Sequence, residues 1–457
     1  MDTERTDSEA GPDSEAQAEL TPAPTGAEPD LDSDPELGPD SDSGLGPDSG
    51  LGSDSGLGSD SGLGSDPDSG LGSDSDSGLG SDSDPDPDPD LTPTPDATAD
   101  QAPRAPGAGR TPHPRRALRT WRHPRLRWPK RIALGLMLLL VLPALGAGIA
   151  LRVNYAGDPG PGTQTRNRDA LWLGHAWIDG RKDDADVQAL AEQVRDSGIR
   201  DLYVHAGPLE HDGSLPKSVY PQADWLIGAV HRELPGVRVQ AWLGDVLASE
   251  GPEGLRLERE ETRAAVVGST EQVLGAGFDG VHFDLEPLHS GDDDYLSLLD
   301  DLHTVTQDRG VPLSVAAHQI DPFPAANSIR GTLTGHPKWW SQAYFGQVAR
   351  RVDQIALMSY DTALPLESLY GGYVAQQTSL ALEVTPESTD LLMGLPFFHE
   401  DDLSHHESAE TVEAAVRGTR LGLSRTDRDR ERFGVALYVD FAAEESDWAA
   451  YREGWVS

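Results

Sequence analysis

From residue 169 onward, short runs of apolar residues alternate with stretches whose apolar positions recur every three to four residues. The short runs read as strands: Ala170–Trp177, Ile199–Ala206, Val237–Gly244, Gly280–Leu285, Pro312–Ala317, Gln354–Ser359, Leu391–Leu395 and Phe433–Val439. Between them lie amphipathic segments near residues 185–197, 222–234, 258–276, 293–309, 340–351, 373–384 and 408–421, with a shorter one near 446–453. Strands separated by helices predict a parallel sheet, and eight such units predict a closed α/β architecture, the (β/α)8 TIM barrel. An open doubly wound sheet is the structural rival. No glycine-rich phosphate loop follows the first strand, which weakens it.

The pattern upstream is different. Ile132–Leu151 is twenty residues without a charge, long enough at about 1.5 Å per residue to cross a hydrocarbon core of about 30 Å. Pro143 is tolerable inside a membrane helix. Residues 101–131 carry ten Lys/Arg and no acid, and Trp121 and Trp128 suit an interface. This basic collar places the N-terminus in the cytoplasm and the C-terminal domain outside the cell membrane, as a single-pass signal anchor. A cleaved signal peptide is the alternative, since Ala147 and Gly148 are small, but a leader of 131 residues argues against it.

Residues 1–100 hold 28 Asp/Glu against one base, Arg5, and repeat Asp-Ser-Gly-Leu-Gly-Ser before running into Pro-Asp. Such a sequence has too little apolar side chain to offset the entropy of ordering its backbone, so it reads as disordered. A calcium-binding solenoid would need a different repeat length and more aliphatic content. Residues 152–168 form a Gly/Pro-rich linker, and 169–457 the folded domain. From Ile132 to the end there are 50 acids and 25 bases, within a net charge of −42 for the chain, which argues against nucleic acid as a partner. Cysteine is absent, so disulfides and thiolate metal sites are excluded.

Polar residues collect at strand ends: His175, His205, Asp245, Asp284 with Glu286, His318, Tyr360 with Asp361, and Asp440. Together they indicate a lined pocket at the C-terminal mouth of a barrel. The fourth strand is the densest. Because side chains alternate, His282, Asp284 and Glu286 share one face while Val281, Phe283 and Leu285 take the other. Unpaired buried charges are costly, so three ionisable groups on one inward face point to chemistry. His175, His205, His282 and His318 could ligate zinc, but they lack paired His-x-His spacing, and neither a metal nor an organic cofactor is expected. His405 and His406 sit in an acidic loop and read as solvated. Asp292–Asp294 suit the start of a helix. Trp242, Trp339, Trp340 and Tyr373 are candidate flat apolar platforms for a ligand.

Over roughly residues 170–450 the chain resembles glycoside hydrolase family 18, the chitinase-like barrels. That family's fourth strand carries D-G-x-D-x-D-x-E, and Asp279-Gly280-Val281-His282-Phe283-Asp284-Leu285-Glu286 fills the frame with His282 in place of one aspartate. Met358-Ser359-Tyr360-Asp361 matches the family's M-x-Y-D, and Gly394–Phe397 a Gly-Leu-Pro-Phe strand. The resemblance implies Glu286 as general acid with a raised pKa. Asp284 would orient the substrate's 2-acetamido group, and Tyr360 would donate a hydrogen bond to its carbonyl. Asp361, His282, Trp242, His318 and Asp440 would bind substrate, with His282 donating to Asp284. The implied activity is a membrane-anchored, extracytoplasmic glycosidase cutting a β-linked, N-acetylhexosamine-containing cell-wall or chitin-like polysaccharide by the substrate-assisted retaining route. The alternatives are a non-catalytic carbohydrate-binding barrel, a glycosidase using a second carboxylate nucleophile on sugars without an acetamido group, and a surface scaffold acting through the acidic tail.

Overall fold

A computed structural model of the protein describes residues 128–248, 253–323 and 339–457. The acidic tail and most of the basic collar lie outside the described residues. Ten strands occur among them: β1 Asp169–Leu173, β2 Ile199–Pro208, β3 Arg238–Val246, β4 Gly280–Glu286, β5 Leu313–Ala317, β6 Gln319–Ile320, β7 Trp339–Trp340, β8 Gln354–Leu357, β9 Asp390–Pro396 and β10 Phe433–Tyr438. Eight close into a parallel barrel in the order β1-β10-β9-β8-β5-β4-β3-β2. The (β/α)8 architecture therefore holds, and the open sheet is excluded. β6 and β7 form a separate two-stranded pair in the loop after β5, a feature periodicity does not signal because each is two residues long. Trp340, expected to open a helix, forms β7 with Trp339 instead.

The helices are α1 Trp128–Tyr155, α2 Asp184–Val194, α3 Ala223–Glu233, α4 Glu260–Gly275, α5 Asp293–Arg309, α6 Gln342–Ala349, α7 Glu367–Leu382, α8 Val412–Thr426 and α9 Glu445–Tyr451. Several start where a short polar side chain accepts an otherwise unpaired backbone N–H. Asp183 makes a capping box with Asp186, and Asp292, Ser341 and Thr411 cap α5, α6 and α8. The role assigned to the Asp292–Asp294 run is thus a cap as well as a charge effect.

The barrel interior is layered. At its N-terminal end Asp201 takes both Arg238 Nε and Nη2, at 2.6 and 2.7 Å, and also Gln240 and Gln354. A second buried carboxylate, Asp169, accepts from Thr165, Val435 N, Tyr451 and Trp455, tying β1 to the C-terminal segment. Above these lie Ala170, Trp172, Tyr203, Ala356, Leu392 and Ala436, a small apolar cluster distinct from the main core between strands and helices. Charge at the base is thus fully partnered, and the mouth is left for chemistry.

α1 is long and apolar enough to span a membrane, and its large apolar side chains Ile132, Leu136, Met137, Leu138, Leu139, Val141, Leu142, Leu145 and Ile149 are exposed. Its C-terminal turns pack on α7 and α8. Gly371 and Gly372 leave room for Tyr155 and for the Leu151 carbonyl, and Tyr155 Oη donates to Glu367 at 2.7 Å. Arg417 and Arg425 donate to the carbonyls of Gly157, Asn154 and Ala156. The expected Gly/Pro-rich spacer is therefore held against the barrel in its first part.

Candidate active site

β4 carries the centre of the site. Parallel pairing with β3 sets Trp242 beside His282, Gly244 beside Asp284 and Val246 beside Glu286. The strand's alternation then lifts the three polar side chains from the barrel interior towards its C-terminal mouth.

His282 is the lowest and is fully buried. Trp172 Nε1 donates to its Nε2 at 3.1 Å, which leaves the proton on Nδ1, facing Ser314 Oγ at 2.8 Å. Tyr203 stacks on the ring at 3.8 Å, and the Ser314 hydroxyl continues to Tyr203 and on to Gln354. Burial holds the imidazole well below its ordinary pKa, so it is neutral. This corrects the expectation that His282 supports Asp284 or touches substrate: both ring nitrogens are engaged elsewhere, and no face is open. The histidine instead completes the barrel interior.

Asp284 stands above it, half-buried, and its Oδ1 makes no hydrogen bond among the described residues. Burial pushes its pKa up to about 6, and the nearby Trp242 indole opposes that rise. The indole N–H is buried without a hydrogen bond of good geometry, so its help is partial. Trp242 packs edge-on against His205 at 4.8 Å and forms a wall of the floor.

Glu286 is 7% exposed at the end of β4. Its Oε1 lies 3.4 Å from His318 Nδ1. Leu288 N donates to His318 Nε2 at 3.2 Å, so the neutral ring carries its proton on Nδ1, towards Glu286. Burial lowers the His318 pKa to about 4, with His289 adding to the effect, which keeps the ring a neutral donor. His318 therefore contacts the acid directly.

Tyr360 follows β8, two strands round the barrel from β4. Its ring lies nearly parallel to Tyr438 at 5.4 Å, and Phe398 closes on it edge-on. Burial raises both phenol pKa values, and Asp284 and Glu286 raise them further, so both hydroxyls are protonated donors near the two carboxyls. Tyr438, on β10 directly across the barrel from β4, was not singled out in the sequence. Its place at a strand end was the available signal. Asp361 has a positive φ of 56° and accepts from His405 Nδ1 at 3.1 Å. His405 is 1% exposed, not solvated as its acidic loop suggested. Burial works against its charge, but Asp361 and Glu410 outweigh that and raise its pKa.

Asp440 is corrected as a sugar ligand. Its two oxygens accept from Gly174 N at 2.8 Å and Trp177 Nε1 at 2.6 Å, closing β10 onto β1. Trp340 is buried with its indole N–H on the Leu288 carbonyl, so it is core rather than platform. Trp339 Nε1 donates to Tyr373 Oη, which donates to Gln319, whose amide holds the Tyr360 carbonyl. That chain links the β6–β7 pair to the tyrosine at the mouth. No group of residues able to hold a metal ion occurs among the described residues.

No family model matches the chain, and no curated protein matches it in sequence. It is similar to solved structures of chitinases and of a spore cortex-lytic enzyme. One is the spore cortex-lytic enzyme SleL of Bacillus megaterium QM B1551, at 13% identity over 64% of this chain and 75% of that one, with a TM-score of 0.44. A chitinase from Chromobacterium violaceum ATCC 12472 is 14% identical over 63% and 98%, with a TM-score of 0.44. The Group IV chitinase of Ostrinia furnacalis is 14% identical over 60% and 93%, with a TM-score of 0.40. The barrel itself rests on the strand pairing described above, not on these likenesses.

Proposed function

We propose that the protein is a membrane-anchored glycosidase, with its N-terminus cytoplasmic and its barrel outside, that hydrolyses a β-linked N-acetylhexosamine-containing glycan with retention. The observation that carries this reading is the stacking of Asp284 and Glu286 on one inward face of β4, at the barrel mouth, within the field of two protonated tyrosines. Glu286 protonates the leaving glycosidic oxygen and later takes a proton from the incoming water. Asp284, ionised above pH about 6, accepts from the acetamido N–H and turns its carbonyl oxygen towards the anomeric carbon. Tyr360 donates to that carbonyl. Asp361, held by His405, binds sugar hydroxyls, and His318, with its Nδ1 3.4 Å from Glu286 Oε1, orients that carboxyl.

The test is Glu286→Gln in the full chain, assayed against a panel of amino-sugar glycans by mass spectrometry. Removing one general acid is expected to cost about 10²–10⁴-fold in kcat with glycan binding retained. A wild-type protein that binds such glycans and never cleaves them refutes the enzymatic reading. One observation favours that second reading, a carbohydrate-binding barrel: His282 gives Asp284 no hydrogen bond, so the carboxylate lacks the support that an aspartate would supply from below.

A further inference from the structure

We infer that the barrel mouth faces the membrane, and that the glycan entering it is one tethered to the lipid surface. This rests on the anchored glycosidase reading, its first half on the anchor and its second on the activity as well.

The geometry begins with the direction of α1. Gly148 lies level with Leu369 and Leu151 level with Gly372, so the end of α1 runs in the same sense as α7. The chain that follows stays against α8, where Arg425 donates to the Asn154 and Ala156 carbonyls, Arg417 donates to the Gly157 carbonyl and Ser424 Oγ accepts from Gly160 N. In a (β/α)8 barrel each helix starts at the C-terminal mouth and runs to the opposite face. α7 begins at Glu367, two residues before the partner of Gly148. The part of α1 upstream of Gly148 therefore projects past the rim on the side of Asp284, Glu286 and Tyr360.

Length then sets how close the rim comes. The sixteen residues from Ile132 to Ala147 reach about 24 Å at about 1.5 Å each. A hydrocarbon core is about 30 Å thick. The remaining about 6 Å is the length of residues 148–151, which lie against the start of α7, so the rim on that side reaches into the lipid interface.

The rim carries the side chains this placement calls for. Outside α1, the exposed large apolar residues among those described are Val246, Phe323, Leu366, Leu403 and Phe441. Val246 ends β3, Phe323 follows β6, and Leu366, Leu403 and Phe441 follow β8, β9 and β10. All five stand on the C-terminal face, and Leu403 and Phe441 are 95% and 70% exposed. An apolar fringe confined to one face suits an interface with lipid. Glu400, Asp401 and Asp402 share the rim, so a zwitterionic surface fits it better than an anionic one.

The absence of cysteine makes the test direct. Full-length Leu403→Cys, Phe441→Cys, Glu387→Cys and Asp308→Cys are each labelled with a fluorophore and reconstituted into phosphatidylcholine vesicles bearing a headgroup-level quencher. Glu387 and Asp308 stand near the opposite face, and both are exposed. Rim labels are expected to be quenched at least threefold more strongly than the other two, and equal or reversed quenching overturns the orientation. The same vesicles then present one amino-sugar oligosaccharide free and lipid-anchored. Cleavage of the anchored form is expected to be at least tenfold faster, and equal rates overturn the tethered substrate. Cleavage of neither form refutes the glycosidase reading and the substrate half with it, while quenching still decides orientation.

Discussion

Trp242→Phe isolates one interaction at the centre of the proposed chemistry. The substitution keeps a ring facing His205 and Tyr438, 4.8 and 6.3 Å away in the native protein, and removes the indole N–H near Asp284 together with part of the indole's volume. That N–H lowers the Asp284 pKa because it favours the ionised carboxylate, so deleting it raises the pKa above its present value of about 6. A hydrogen bond of imperfect geometry contributes about 0.5–1.4 kcal/mol, which is about 0.4–1 pH unit at about 1.36 kcal/mol per unit. If ionised Asp284 orients the acetamido group, the acid limb of kcat/KM lies near pH 6 in the native enzyme and moves alkaline by that amount in the variant. Carbon-13 NMR of labelled aspartate carboxyls reads the same titration without turnover. Global stability should fall by about 1–3 kcal/mol, because the smaller ring leaves a cavity at a buried site. A limb that stays in place, or moves to lower pH, refutes the argument that this indole tunes this carboxylate.

His282→Ala removes the ring stacked on Tyr203 and strands the Trp172 N–H, and should cost about 3–5 kcal/mol in urea unfolding. A cost below about 1 kcal/mol would mean the histidine is not a packing element. Asp169→Ala leaves the Val435 N–H and the Trp455 indole without their acceptor and should destabilise by at least about 3 kcal/mol, read by the same method. Gly372→Val places side-chain atoms where the Leu151 carbonyl now lies, so α1 should lift from α7. Limited proteolysis should then cut residues 152–160 faster than in the native chain, and an unchanged rate would show that the helix does not need that close approach.

The eightfold alternation, the inward set on β4 and the apolar span were all legible in the chain, because each depends on local periodicity. Strand alternation places Asp284 and Glu286 on one face whatever lies around them. The roles of individual polar residues were less legible, because a role depends on which neighbours reach a side chain. His282 reads as a catalytic partner in one dimension and becomes a core residue once Trp172 and Ser314 occupy its nitrogens. Asp440 is bound by Gly174 and Trp177, from the opposite end of the domain's sequence, and His405 is buried by Asp361 and Glu410 rather than solvated.

The amino-acid sequence alone determined the barrel, the membrane-length helix and the strand that carries the carboxyls, since hydrophobic periodicity and length are properties of contiguous residues. Only the tertiary structure decided which polar groups stay available for chemistry, that Tyr438 faces β4, and on which side of the barrel α1 projects. Those outcomes turn on hydrogen-bond saturation and close packing between residues that lie on different strands and loops, tens to hundreds of positions apart, and no local pattern encodes them.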